Sequence, residues 1–172
     1  MTDWAPPETF LVALAALNLL AESYTLAVVP DVEGKPGAGG TILLLQQWEH
    51  DVTAWESLSE QTQERVIGRT KTDSIELDPQ PPDSHVHQTD QDMFGNVFRR
   101  NMPYGTVTGH GTMFVGFCCE QRPLQAMLES MVGLKDGVRD ALTRYTKPLT
   151  GAYYFIPAVE AIRQFATPVE AD

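Results

Sequence analysis

Hydrophobic and polar positions alternate with different periods along this chain, and the period assigns most of its elements. Phe10 to Leu17, extended by Leu19, Leu20 and Ala21, is an apolar run that predicts a buried helix over 10–23. It is shorter than the ~20 residues needed to cross a bilayer. No basic residue precedes it, so it does not read as a signal peptide. Thr25 to Val29 is a short β-prone run closed by Pro30, and Asp31 to Gly40 holds five Gly and Pro residues, which makes it a loop. Thr41 to Trp48 is continuously apolar at its start and predicts a buried strand.

Capping residues set the next boundaries. Asp51 is placed to cap a helix through Leu58, and Ser59 to cap a second one ending at Gly68. Thr70 to Thr89 contains Pro79, Pro81 and Pro82 and reads as a long irregular segment, a type of loop that is usually functional or disordered. Asn96 to Met102 predicts a strand ending in a turn at Pro103-Tyr104-Gly105. In Thr112 to Cys119, Met113, Val115 and Phe117 fall on one face and Phe114 and Cys118 on the other, a strand pattern. Pro123 opens a helix in which Leu124, Met127, Leu128, Met131 and Val132 form an apolar stripe, and Gly133 stops it. Asp136 to Tyr145 predicts a helix, Tyr153 to Ile156 a strand and Ala158 to Phe165 a short helix. Strands separated by helices, with an antiparallel-type strand among them, give an α+β sandwich.

Composition narrows the classes. The 172 residues suffice for one domain with a real core. Lys and Arg number 12 against 23 Asp and Glu, a net charge of −11. That argues against nucleic acid, which calls for a basic face, and against an anionic membrane surface. The two cysteines, Cys118 and Cys119, are adjacent, so an ordinary disulfide between them is disfavoured and a reducing, cytoplasmic setting is expected.

Two clusters carry chemistry. His85 and His87 sit two apart in Asp83-Ser84-His85-Val86-His87, so on a strand both rings would face one metal. No third His or Cys lies at ligand spacing; His110 is the nearest, with Asp90 and Asp92 as oxygen donors, and exposed loop histidines are the plainer account. The second cluster is Phe98-Arg99-Arg100-Asn101-Met102-Pro103-Tyr104-Gly105. On a strand Arg99 and Asn101 share one face and Arg100 takes the other, so a cation and an amide would point inward together. Two surface arginines paired with nearby carboxylates would produce the same sequence.

Taken together, Asp83-Ser84-His85-Val86 and Phe98 to Gly105 resemble the haem-site signature of the DyP-type (dye-decolourising) peroxidases. Pro36-Gly37-Ala38-Gly39-Gly40-Thr41, Trp55-Glu56-Ser57-Leu58-Ser59, Val66-Ile67-Gly68-Arg69-Thr70-Lys71 with Asp73-Ser74, and Arg144-Tyr145-Thr146-Lys147-Pro148 with Gly151 to Pro157 are similar to other segments of that family, in order. The resemblance runs from about Leu26 to Phe165 and covers the family's C-terminal, haem-binding half. It implies an α+β, ferredoxin-like antiparallel sheet with helices packed on one face, of the dimeric α+β barrel type. The domain would span 25–172, behind an atypical N-terminal helix within 1–24.

The resemblance also implies haem b as cofactor, His85 as axial ligand of its iron, and Arg99 with Asn101 beside it on the distal side. Hydrogen peroxide and a small aromatic reductant, a dye or a phenol, would be the substrates. Phe114 is a candidate to pack on the porphyrin, while Met127 and Met131 read as core. A carboxylate on the other nitrogen of His85 would strengthen the ligand; Asp90, Asp92 and Glu160 are the candidates. The family's Gly-x-x-Asp-Gly motif, whose Asp is the distal acid/base, has no counterpart here. The corresponding stretch Phe10 to Ser23 contains no Asp, and Glu22 does not align with that role. The expectations are a truncated peroxidase, a homo-oligomer or a partner chain that supplies the missing half, or a haem-binding protein with little or no turnover.

Overall fold

The computed structural model describes residues 26–33, 36–106 and 109–165. The expected helix 10–23 and the domain boundary at 24/25 lie outside them. The described elements are β1 (Thr41–His50), α1 (Val52–Glu56), α2 (Glu60–Ile67), α3 (His85–Gln88), α4 (Gln91–Phe94), β2 (Phe98–Gly105), β3 (His110–Cys118), α5 (Gln121–Met131), a 3₁₀ turn (Ala141–Arg144), β4 (Thr146–Ile156) and α6 (Val159–Phe165). The four strands form one sheet in the order β2-β3-β1-β4, and every neighbouring pair is antiparallel. The β-α-β-β-α-β sequence in this order is the ferredoxin-like arrangement, as the sequence implied.

Several boundaries follow directly from local chemistry. Ser59 Oγ accepts the Thr62 N–H at 3.3 Å to open α2, and Gly68 closes it with φ +93°, a conformation that a side chain resists. Asp51 opens α1 in the same way, accepting from the Ala54 N–H at 2.9 Å.

The departures also have causes. β2 continues through Pro103 and Tyr104 to Gly105, where a turn is expected from sequence, because β3 pairs with it in register out to Gly105 opposite His110. Pro103 is tolerated because β2 is an edge strand. The helix expected over 136–145 is reduced to turns and the 3₁₀ segment, opened by Asp140 accepting the Leu142 N–H at 2.8 Å. β4 starts at Thr146 rather than Tyr153, drawn out by its pairing with β1. α5 begins at Gln121, so Pro123 sits within the first turn, where backbone N–H groups have no helical partner to lose.

One face of the sheet carries the core. Leu44, Val97, Cys118 and Leu124 are buried together, with Ile42, Phe114, Cys119 and Leu128 packed around them. Fully burying a side chain such as Leu124 contributes about 1.5–3 kcal/mol. α5 covers the end of the face that holds Leu44, Cys118 and Val97. Towards the other end the same face turns polar, with Gln46, Trp48, Thr112, Arg99 and Asn101, and there it opens on a cavity. Strand alternation thus divides one sheet face between core and site.

Candidate functional site

The cavity is about 1080 Å³ and lies between the inner sheet face and the helical segments from Val52 to Asp92 and from Met127 to Tyr145. That volume is at the upper end of the ~300–1,000 Å³ usual for ligand pockets. A smaller cavity of about 490 Å³ adjoins it, sharing His50, Thr143, Tyr145 and Thr146 and bordered by Arg139, Arg144 and Lys147.

His85 is the first residue of α3, which begins inside the long proline-bearing segment. The short helix is held by buried Ser84, whose hydroxyl accepts the His87 N–H at 3.3 Å, and by the Thr89 hydroxyl donating to His85 O at 2.7 Å. The ring nitrogen Nδ1 of His85 lies 2.7 Å from Asp140 Oδ2. Asp140 is fully buried, and its other oxygen accepts the Leu142 N–H. A carboxylate only accepts, so the shared proton sits on Nδ1, and in the neutral ring Nε2 carries the lone pair. The partner of His85 is therefore Asp140, not Asp90, Asp92 or Glu160. The sequence reading missed it because a short helix cap and an ion-pair partner look alike in one dimension.

His85 and His87 both line the cavity. The segment is helical, so residues two apart point about 200° from each other, and the shared-metal arrangement drawn from a strand does not form. Among the described residues no group of three or more His, Cys, Asp or Glu is placed to hold a metal ion.

Arg99 and Asn101 project from the same face of β2, opposite Gly116 and Phe114 of β3. Arg99 Nη1 donates to Thr89 O at 3.3 Å and reaches Met127 Sδ at 3.5 Å, which ties the strand to the end of the helix bearing His85. Burial lowers the guanidinium pKa, nearby Arg69 lowers it further and Asp90 opposes both; Arg99 remains cationic at any ordinary pH. Arg100 takes the other face, exposed and 4.6 Å over the Phe98 ring. Phe114 lines the cavity and also touches the core cluster, so the packing and cavity roles considered for it coincide. Met127 is buried and Met131 lines the same wall.

The chain as a whole has counterparts among known proteins. The family model for the C-terminal part of Dyp-type peroxidases matches residues 18–161. The chain belongs to the DyP-type peroxidase family. A dye-decolorizing peroxidase of Mycobacterium tuberculosis is 37% identical over 154 residues, which cover 81% of this chain and 46% of that protein. A solved dye-decolorizing protein from V. cholerae superposes with a TM-score of 0.75 at 40% identity, covering 81% of this chain and 47% of that one. A variant of DypB from Rhodococcus jostii RHA1 in complex with heme gives a TM-score of 0.74 at 32% identity, covering 82% and 48%. The chain thus spans about half the length of the DyP-type relatives it matches. Among its described residues no helix is long and apolar enough to cross a membrane.

Proposed function

We propose that the chain binds haem b in the 1080 Å³ cavity through His85 and performs peroxidase chemistry on hydrogen peroxide with a dye or phenol as reductant. The observation that carries this reading is the His85–Asp140 pair at 2.7 Å on the wall of a cavity that also receives Arg99 and Asn101. The donor set fits the group: one neutral imidazole with an available Nε2 is a usual axial ligand, and Phe114, Met127 and Leu128 offer apolar and sulfur surface for a flat macrocycle. A solved relative in complex with heme adds support.

Haem, when bound, supplies the iron at which the peroxide O–O bond breaks and from which oxidising equivalents pass to the reductant. The chain's own residues account for the rest. Asp140 fixes the tautomer and orientation of His85 and raises its basicity. Arg99 holds a fixed positive charge at the cavity wall, where negative charge develops on peroxide oxygen, and Asn101 adds an amide donor. Two electrons from the reductant and two protons complete the conversion of peroxide to two waters. Free Cys118 and Cys119 support the cytoplasmic setting of this reading.

A second reading is haem binding with little or no turnover. It is favoured by one observation: among the described residues the sheet face beside Arg99 and Asn101 carries Gln46, Trp48, Thr112 and Phe114 and no carboxylate, and the carboxylates that line the cavity, Glu76, Asp90 and Asp92, come from the segments outside the sheet. A missing acid/base costs ~10²–10⁴-fold in rate.

Hemin titration of the purified chain, followed in the visible spectrum, tests the binding step. A sharp Soret band in the wild type that is lost in His85→Ala supports the assignment, and failure of the wild type to take up hemin overturns it. Peroxide turnover by the resulting holoprotein then separates the two readings.

A further inference from the structure

Buried polar side chains are few in this protein, and they are not spread through it. Among the described residues five polar or charged side chains are buried: Ser84, Gln88, Thr89, Ser130 and Asp140. All five lie on or directly around α3, the four-residue helix that begins at His85. Each is bonded, and among the described residues no buried side-chain nitrogen or oxygen lacks a partner. A polar group withdrawn from water destabilises a fold unless it is bonded. A single helical turn, for its part, does not hold itself together. The network supplies what the turn lacks, a fixed position.

Ser84 and Thr89 act within the turn, whereas Gln88 and Ser130 act across the fold. Gln88 Nε2 donates to Pro82 O at 2.8 Å, and Gln88 Oε1 accepts from Ser130 Oγ of α5 at 2.6 Å. The next residue of α5 holds the other support of His85: Met131 O accepts the Asp140 N–H at 3.0 Å. A carbonyl in the last turn of a helix has no helical partner, which leaves Met131 O available for this bond. Residues 130 and 131 thus meet both the helix that carries the imidazole and the carboxylate that lies 2.7 Å from its Nδ1.

We propose that Ser130 and Gln88 are positioning residues for the axial ligand: their hydrogen bond fixes α3 against the end of α5 so that His85 meets Asp140. The inference rests on the reading of His85 as ligand of the haem iron. Without the bond, Ser84 still caps the turn, but the turn is free to shift relative to α5. Asp140 stays with Met131, so the imidazole and its carboxylate lose their common anchor. A ligating histidine whose partner no longer holds its orientation binds less tightly and less uniformly.

The test begins on the full chain without cofactor. NMR with isotope-labelled histidine reads the His85 Nδ1–H proton and its exchange with water. A protected proton is expected in the wild type, and Ser130→Ala should speed its exchange about 10-fold, the effect of losing one buried hydrogen bond. Ser130→Ala should add little on top of Gln88→Met, because both break the same bond. Val97→Ala, in the core cluster and outside the cavity lining, is the control for a general loss of stability, with circular dichroism to check folding. In the hemin-loaded, reduced protein, resonance Raman should show the iron–histidine stretching band shifted or broadened in Ser130→Ala and unchanged in Val97→Ala. Exchange in Ser130→Ala equal to wild type, equally fast exchange in Val97→Ala, or full additivity with Gln88→Met overturns the proposal. A wild type that takes up no hemin removes the reading of His85 as ligand instead, while the exchange rates still decide whether Ser130 holds the ring in place.

Discussion

Nδ1 of His85 and Oδ2 of Asp140 stand 2.7 Å apart although 55 residues separate them in the chain. The contact joins two short capped segments, α3 and the 3₁₀ turn. Each is anchored by its own side chain, Ser84 in one and Asp140 in the other. The 3₁₀ segment is further tied to the loop before α3 by the Ala141 N–H donating to Asp83 O at 2.8 Å. The imidazole is thus oriented from below by a buried carboxylate that is itself held at both oxygens.

Asp140→Asn should weaken hemin binding by about 10–100-fold, the usual cost of removing the partner of a ligating histidine. The amide keeps an oxygen for Leu142 N–H, so the fold is expected to survive; the dissociation constant and the Soret maximum, read against wild type, check this. Unchanged hemin affinity would show that the contact does not tune the ligand.

Arg99→Leu separates chemistry from cofactor uptake. In the proposed function it removes the charge beside peroxide, so the rate of reaction with peroxide should fall about 10²–10³-fold while hemin is still bound. Stopped-flow mixing of the holoprotein with peroxide measures it. A rate within a few-fold of wild type would exclude Arg99 from this role.

Gly111 lies at the start of β3, directly against Trp48 O of β1, and a Cβ there would overlap that backbone oxygen. Neither strand can yield without breaking the β1–β3 ladder. Gly111→Ala should therefore cost about 3 kcal/mol, at the top of the range for overpacking, and lower Tm by roughly 6–12 °C. Thermal unfolding of the two proteins side by side decides it.

His50 gives the fold a pH dependence. Burial and then neighbouring His110 lower its pKa from 6.5, and its Nε2 lies 2.8 Å from Thr112 Oγ1, which a neutral ring can accept. Below 6.5 the unfolded chain takes up a proton that the folded chain resists, so stability is complete above that pH and declines as pH falls towards the folded value. His50→Gln should flatten the fall in Tm between pH 7.5 and 5.5. An equally steep fall in the variant would place the dependence elsewhere.

Local chemistry was enough for much of this. The Ser59 and Gly68 caps of α2, the alternation of β3 and the common face of Arg99 and Asn101 all depend on residues within a few positions of one another. Dihedral preference and side-chain period act at that range, so they can be read from sequence. The resemblance carried by His85 and by Phe98 to Gly105 named the family that the comparisons then showed.

Tertiary structure decided the rest. Asp140 could not be told from Asp90, Asp92 or Glu160 in the sequence, because every carboxylate offers the same chemistry and only the closure of a 55-residue loop brings one of them to His85. The helix at His85 replaced an expected loop because buried Ser84, whose hydroxyl also donates to Gln80 Oε1, caps it. β4 grew from four expected residues to eleven because a long neighbour, β1, offered it a ladder. The division of one sheet face into core and cavity followed from where α5 ends, since burial is a property of what lies opposite a residue and the chain alone does not state it.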